Sequence, residues 1–342
     1  MTTPTLDKPP TTAPTADVAA TRTPLGRALT WTGAVLGGVT LLWGGVQVAD
    51  LVVSRTMTEH ATYASADVVE LVADGRVTVS GTSGSSVDVV RTQRGGFSMP
   101  TYEVDEGDDR LVVRNRCSWW FGSCSGSLDV DLPAGTQVVV RTSNGEVRAT
   151  GVAGPLDLQT SDGGIEVVQA DGDVTLRSSN GAIVVNDVDG SLTARTSDGR
   201  IDVDDVRGDV AVVTSNGGVQ VGRVDGDAQV RTSDGRIDVA DIGGSLQAVT
   251  SNGGVTVQDV RGDAAVRSSD GGLDVAAVQG NVEAVTSNGH VTVFGTGEPV
   301  ALTISTSNGR QVVDAPTDPS AFRSVVIRSS DGNVAYLGPR GS

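Results

Sequence analysis

A tetrapeptide of Thr or Ser, Ser, Asn or Asp, and Gly starts at residues 142, 160, 178, 196, 214, 232, 250, 268 and 286, each copy eighteen residues after the last. Two looser copies begin at 306 and 329. A fixed short period marks a stacked repeat architecture. Within a unit the pattern is [ND]-G-x-h-x-h-x-x-h-x-G-x-h-x-h, where h is aliphatic; Asp198, Gly199, Ile201, Val203, Val206, Gly208, Val210 and Val212 are one instance. The alternation predicts two short strands per unit, and the glycines predict two corners with positive φ.

One unit has about five small aliphatic side chains facing one way and cannot bury them alone, whereas units stacked in register can. The expected fold class is therefore all-β, a single-chain β-solenoid of 18-residue coils with two short strands per coil. Stacking also accounts for the identity between units, because like residues then lie ~4.8 Å apart on neighbouring strands. About eleven coils at that spacing give a rod on the order of 50 Å. An antiparallel meander is the competing architecture, since Asn-Gly and Asp-Gly suit hairpin turns. A meander does not require position-by-position identity.

A second period overlies the first. The corner residue alternates as Asn144, Asp162, Asn180, Asp198, Asn216, Asp234, Asn252, Asp270 and Asn288. Four residues after each Asp corner stands an acid, Glu166, Asp202, Asp238 or Asp274; after each Asn corner stand Arg148, Val184, Gln220, Thr256 and Thr292. Carboxylates stacked on every coil would repel by ~1 kcal/mol in water, and more at lower dielectric. Alternation doubles their separation to about the Debye length, and each Asn amide can donate to an Asp on the coil above or below. Such a column argues against bound metal. Duplication of 36-residue blocks would produce the same alternation.

Composition agrees with a narrow core: 45 glycines accompany only 4 Trp, 3 Tyr and 4 Phe. Aromatics are missing from 122 to 293 and fall outside it, at Phe97, Tyr102, Trp119, Trp120, Phe121, Phe294, Phe322 and Tyr336. That placement suits caps covering the open strand edges of a solenoid. Residues 1–55 carry four basic and three acidic side chains, so the net charge of −17 belongs to the remainder. Nucleic acid is excluded as a partner, and anionic headgroups would repel the main body.

Residues 28–49 hold no charge, long enough for a helix across ~30 Å of hydrocarbon. No small-x-small cleavage site follows, and Trp31 and Trp43 lie near its ends. Arg22 and Arg27 precede the span while Arg55 follows it, which places the N-terminus in the cytoplasm and the rest outside. Gly33 and Gly37 form a weak GxxxG pairing signal. The expected organisation is a disordered Thr/Pro-rich cytoplasmic tail (1–24), a transmembrane helix (25–53, apolar from Ala28 to Ala49) and a linker (54–68). Irregular opening coils with a Cys117/Cys124 loop (69–141), regular coils (142–293) and looser C-terminal coils with a cap (294–342) complete it. Cys117 and Cys124 bracket CSWWFGSC, a spacing that a disulfide hairpin closes in an oxidising compartment.

The serial TSNG/TSDG corners, the G-x-V-x-V strands and the DLPAGTQVVVRTSNG entry resemble the bacterial "putative adhesin" family of domains of unknown function number 4097, short-coil "toastrack" β-solenoids beside single membrane spans. The resemblance covers roughly 65–340. It implies the fold and an adhesive or envelope-stress setting, and it supplies no catalytic motif.

The remaining motifs have plain readings. Arg207-Gly208-Asp209 and Arg261-Gly262-Asp263 sit at the second corner of a coil, where sister corners read DGD, DGS, GGS and QGN. RGD is thus a by-product of an x-G-D corner rather than an adhesive signal. Ion-binding β-rolls use GGxGxDxUx half-coils, whereas here two aliphatics fill each half-coil. Loose cation binding at Asp202, Asp204 and Asp205 would lack the six or more oxygens that hard cations take. His60 and His290 stand in no Ser/His/Asp or HExxH arrangement, and short corners leave no wall for a catalytic cleft. LPAGT at 132–136 is internal and out of order for a sorting signal. Trp119, Trp120 and Phe121 are the candidate binding residues, an aromatic loop for a glycan, lipid or protein, or else a folded-back cap.

These readings converge on a single-pass, N-in membrane protein of the bacterial envelope whose outer part is a non-catalytic adhesin-like binding or scaffolding module. No cofactor and no metal are expected; the envelope polymer or protein partner is unspecified. A sensory ectodomain of an envelope-stress system is the alternative, and a calcium-binding or glycan-active β-helix a more distant one.

Overall fold

The computed structural model describes residues 43–44, 55–95, 100–117 and 124–340. The chain divides into two compact units, Met1–Val52 and Val53–Ser342, and all described strands lie in the second. The expected span is outside the described residues apart from Trp43 and Gly44, as are the Thr/Pro-rich tail and the Trp119, Trp120 and Phe121 loop. Among the described residues, no helix is long and apolar enough to cross a membrane.

The repeats fold as an all-β solenoid. Each regular coil supplies one six-residue strand, such as Ile201–Val206, to a 15-stranded sheet and one four-residue strand, such as Val210–Val213, to a 14-stranded sheet. Neighbouring coils pair parallel and in register at a shift of eighteen: Ile201 lies beside Ile183 and Val219, and Val210 beside Leu192 and Ala228. The meander is ruled out for these coils. Ile201, Val203, Val206, Val210 and Val212 are all buried, and their counterparts form one continuous core.

The x-h-x-h-x-x-h spacing of the longer strand needs a local device, because strict alternation would point Asp205 inward and Val206 outward. Asp205 takes φ 61° and is skipped in the pairing, so Val206 turns back to the core as a bulge would place it. The same position on other coils is Gly151, Gln169, Asp187, Arg223, Asp241, Asp259 and Ala277, all with positive φ. Left-handed backbone therefore belongs to the bulge, not to the TSxG glycines as the sequence suggested. Those glycines serve close approach: a Cβ on Gly217 would lie 1.8 Å from the Gly199 carbonyl oxygen one coil earlier.

Both ends depart from simple succession. At the C-terminal end, Ser324–Ser329 and Val334–Leu337 stack directly on Val282–Val285 and Val291–Phe294. The earlier strands Ala301–Thr306 and Gln311–Asp314 lie outside them, so the chain overshoots by one coil and returns to fill the gap. At the other end, Val68–Ala73 and Val77–Thr82 stack on Gln137–Thr142 and Val147–Val152, with Arg110–Arg116 and Cys124–Pro133 beyond. Antiparallel strands Ser86–Gly95, Arg55–Ala64 and Thr101–Glu106 then close that edge. Residues 55–64, read as linker from the sequence, are thus an edge strand.

Candidate functional site

The TSxG corner is built from its threonine. Thr214 is buried; its Oγ1 accepts the Gly217 N–H at 3.3 Å and donates to the Gly199 carbonyl at 3.2 Å. Thr160, Thr196, Thr232, Thr250 and Thr286 donate in the same way, as do Ser178 and Ser268. Each hydroxyl ties its own turn to the coil before it. This role was missed in the sequence, although the hydroxyl recurs in all nine regular copies.

The Asn/Asp column resolves into pairs. Asn180 Nδ2 donates to Asp162 Oδ1 at 2.5 Å, and Asn216, Asn252 and Asn288 donate to Asp198, Asp234 and Asp270. In every case the amide reaches back one coil, never forward. Among the described residues Asn144 makes no such bond, and Asp74, in the corner beneath it, instead accepts the Cys117 N–H. The acids four residues on are neutralised by arginines that also bridge coils. Arg200 donates to Asp202 at 2.7 Å and to Gln220 of the next coil at 2.9 Å, and Arg236 does the same with Asp238 and Thr256. Arg148 pairs with Glu166 at 2.6 Å.

The second corner explains the RGD triplets. Asp209 Oδ1 accepts the backbone N–H of Asp227 at 2.9 Å, and Asp263 Oδ1 that of Asn281 at 2.7 Å. Gly208 packs on Gly190, where a Cβ would meet the carbonyl oxygen at 2.6 Å. Arg207 is ion-paired with Asp189. Glycine and aspartate are structural at both triplets; Arg207 is engaged, whereas Arg261 has no ion pair among the described residues. Asp202, Asp204 and Asp205 do not converge: Arg200 holds Asp202, and Arg223 holds Asp204 at 2.6 Å. Among the described residues, no group of three His, Cys, Asp or Glu side chains is placed to hold a metal ion.

A disulfide joins Cys117 and Cys124 with their Cα atoms 5.8 Å apart. Its two cysteines flank the corner position that TSxG fills elsewhere, since Gly126 stacks on Gly75 and Gly75 on Gly145. The expected aromatic caps behave differently from one another. Tyr102 shares a hydrogen bond with Tyr63 (2.8 Å) under Arg91, and burial with that bond pushes its hydroxyl pKa well up. Tyr336 is 0% exposed and fills the core of the returning coil, its hydroxyl without a partner; burial raises its pKa too. Arg340 covers Phe294. Phe322 is fully exposed and covers nothing, contrary to the capping role expected of it.

A groove of about 850 Å³ runs along the sheet of four-residue strands, from Ser191 to Ser324. Its wall is the second-corner column, with Asp209, Asp227 and Asp263; its floor is the outward residue of each strand, including Ala211, Gln229, Gln247 and Ala265. Gln229 Nε2 donates to Gln247 Oε1 at 2.7 Å. No Lys, Arg or His belongs to its lining among the described residues.

No family model matches the chain, and no curated protein matches it. Among solved structures it is similar to a "putative lipid binding protein" from Parabacteroides distasonis, at 12% identity and a TM-score of 0.37, covering 82% of this chain and 96% of that one. A "putative adhesin" from Bacteroides fragilis shares 10% identity at a TM-score of 0.31, with 83% and 97% covered. A "putative cell adhesion protein" from Clostridium sporogenes shares 9% at 0.28, with 83% and 100% covered. At these identities and scores, nothing of those proteins' chemistry passes to this chain.

Proposed function

We propose that the chain is a membrane-anchored, extracytoplasmic β-solenoid serving as a non-catalytic, adhesin-like binding or scaffolding module of the bacterial envelope. One observation carries this reading: the polar groups of the corners are spent on the ladder itself. The Thr hydroxyls, Asn amides and second-corner carboxylates bond to neighbouring coils, leaving a repeated, grooved surface as the part that faces a partner. A surface of that kind suits many weak contacts along a polymer or protein. The uncharged stretch from Ala28 to Ala49 supports the anchor, and the disulfide supports an oxidising setting.

Affinity capture with the full chain and with a version lacking residues 1–54 tests the reading. Retention of envelope polymer or surface protein by both is the expected result. Capture of one specific membrane protein, and only when the span is present, would replace it with a sensory role. Turnover of a glycan substrate would overturn the non-catalytic assignment.

A further inference from the structure

Beside its bonds between coils, the groove over the four-residue strands keeps polar groups that the ladder does not use. It crosses seven successive corners, from Ser191 to Ser324, a length on the order of 30 Å at ~4.8 Å per coil. A trench of that length suits an extended polymer better than a small molecule.

Its chemistry narrows the polymer. Along one side, Asp209, Asp227 and Asp263 each commit Oδ1 to a backbone N–H on the next coil. That bond fixes the carboxylate and leaves Oδ2 without a hydrogen bond among the described residues, so the wall is a row of oriented acceptors. On the floor, the Gln229 to Gln247 bond leaves one amide oxygen and one amide N–H₂ group for a ligand. Two residues beyond Thr193 and Gln229, on the same outward face and beside the lining rather than in it, stand Arg195 and Arg231, both exposed and without an ion pair among the described residues. Acceptors on one side and donors on the other fit a chain of hydroxyl groups, each of which both donates and accepts. A polyanion would meet the carboxylate wall, and a cationic peptide would meet the arginines. An extended β-linked hexose advances by close to the strand spacing of ~4.8 Å, so successive sugars meet successive coils.

Resting on the adhesive reading above, we propose that this groove binds a neutral β-linked polysaccharide laid along the coil axis. Among the described residues the lining has no aromatic ring for a sugar to stack on. Each sugar is therefore held weakly, and affinity accumulates with chain length.

Calorimetric titration of the full chain with cello- and chito-oligosaccharides of increasing length tests the proposal. Affinity should rise with length until the groove is filled. Ala211→Trp and Ala265→Trp, which fill the floor from outward positions, should each weaken the longest oligomer by about tenfold or more with the melting temperature unchanged. Asp227→Asn, which keeps the Oδ1 acceptor and alters the wall, should weaken it as well. Affinity independent of length, full affinity in the filled-groove variants, or preference for a sulfated glycan or polylysine would each overturn the groove assignment. Retention of envelope polymer by wild type and Ala211→Trp alike would sink the groove and leave the adhesive reading standing; failure of wild type to retain any glycan or envelope material would sink both.

Discussion

Asn216 and Asp198 meet across a coil boundary at an exposed corner, where one amide stands between two carboxylates, Asp198 and Asp234. Replacing it with a third carboxylate loses a charge-assisted hydrogen bond and sets like charges ~4 Å apart, worth ~1 kcal/mol in water and ~4 kcal/mol at an effective dielectric of 20. Asn216→Asp should therefore lower unfolding stability by about 1–3 kcal/mol at low salt. The loss should shrink in about 1 M NaCl, where the Debye length falls to ~3 Å. Asp198→Asn removes the charge, keeps an acceptor, and should stay within about 0.5 kcal/mol of the parent. Urea midpoints at two salt concentrations decide the matter; an Asn216→Asp deficit unchanged by salt would mean that lost packing, not charge, sets the cost. The alternation of Asn and Asp was plain in the sequence. What the sequence left open was direction, which depends on where each corner's Nδ2 points.

At the scale of strands, coil length, strand number and core residues were legible, because every inward position repeats as an aliphatic at a fixed offset. Two features were not. The bulge was hidden because seven of its eight positions are non-glycine, including Gln169, Arg223 and Ala277, residues that rarely advertise positive φ. The TSxG glycine misled for the complementary reason: glycine is selected by a missing Cβ as readily as by backbone freedom, and only the neighbouring coil distinguishes the two. The groove was illegible, since its floor is made of the outward positions Ala211, Gln229, Gln247 and Ala265, which are not held to one residue type. The returning strand Val334–Leu337 carries its own test. The buried Tyr336 hydroxyl has no partner among the described residues, and its pKa is raised above the ordinary value of 10.0 by burial. The neutral form is thus favoured in the folded state. Its contribution is complete below pH 10 and is lost as pH rises through the folded value, because the unfolded chain releases the proton first. Tyr336→Phe should raise stability by about 1 kcal/mol at neutral pH by removing an unsatisfied buried donor, and should flatten the alkaline decline. Chemical denaturation from pH 7 to 11 reads both effects; a variant as alkali-sensitive as wild type would place the decline elsewhere.

For the whole solenoid, spatial order rather than chain order governs the corner column. In sequence the last corners read Asn288, Asn308, Asp331, a break in the alternation. In space Asp331 sits on Asn288 and Asn308 sits on Asp331, donating to it at 2.6 Å, so the alternation is kept because the coils change places. The swap was thus written in the sequence as a phase error. At the opposite end Asp74 lies beneath Asn144 and extends the same column. A stack in which each coil touches only its neighbours tolerates removal of whole units, and the cost is set at the new junction. Deleting residues 181–216 joins Asn180 to Gly217 and leaves Asn and Asp alternating; deleting residues 199–216 joins Asp198 to Gly217 and sets Asp198 directly against Asp234. Both proteins should fold with parallel-sheet spectra. In the shorter deletion, Asp198→Asn should restore about 1–3 kcal/mol by removing one of the two repelling charges, although the same substitution is nearly neutral in the intact chain. The gain should be largest at low salt. If Asp198→Asn has the same small effect in both backgrounds, the alternation is a relic of 36-residue duplication and not a rule of assembly.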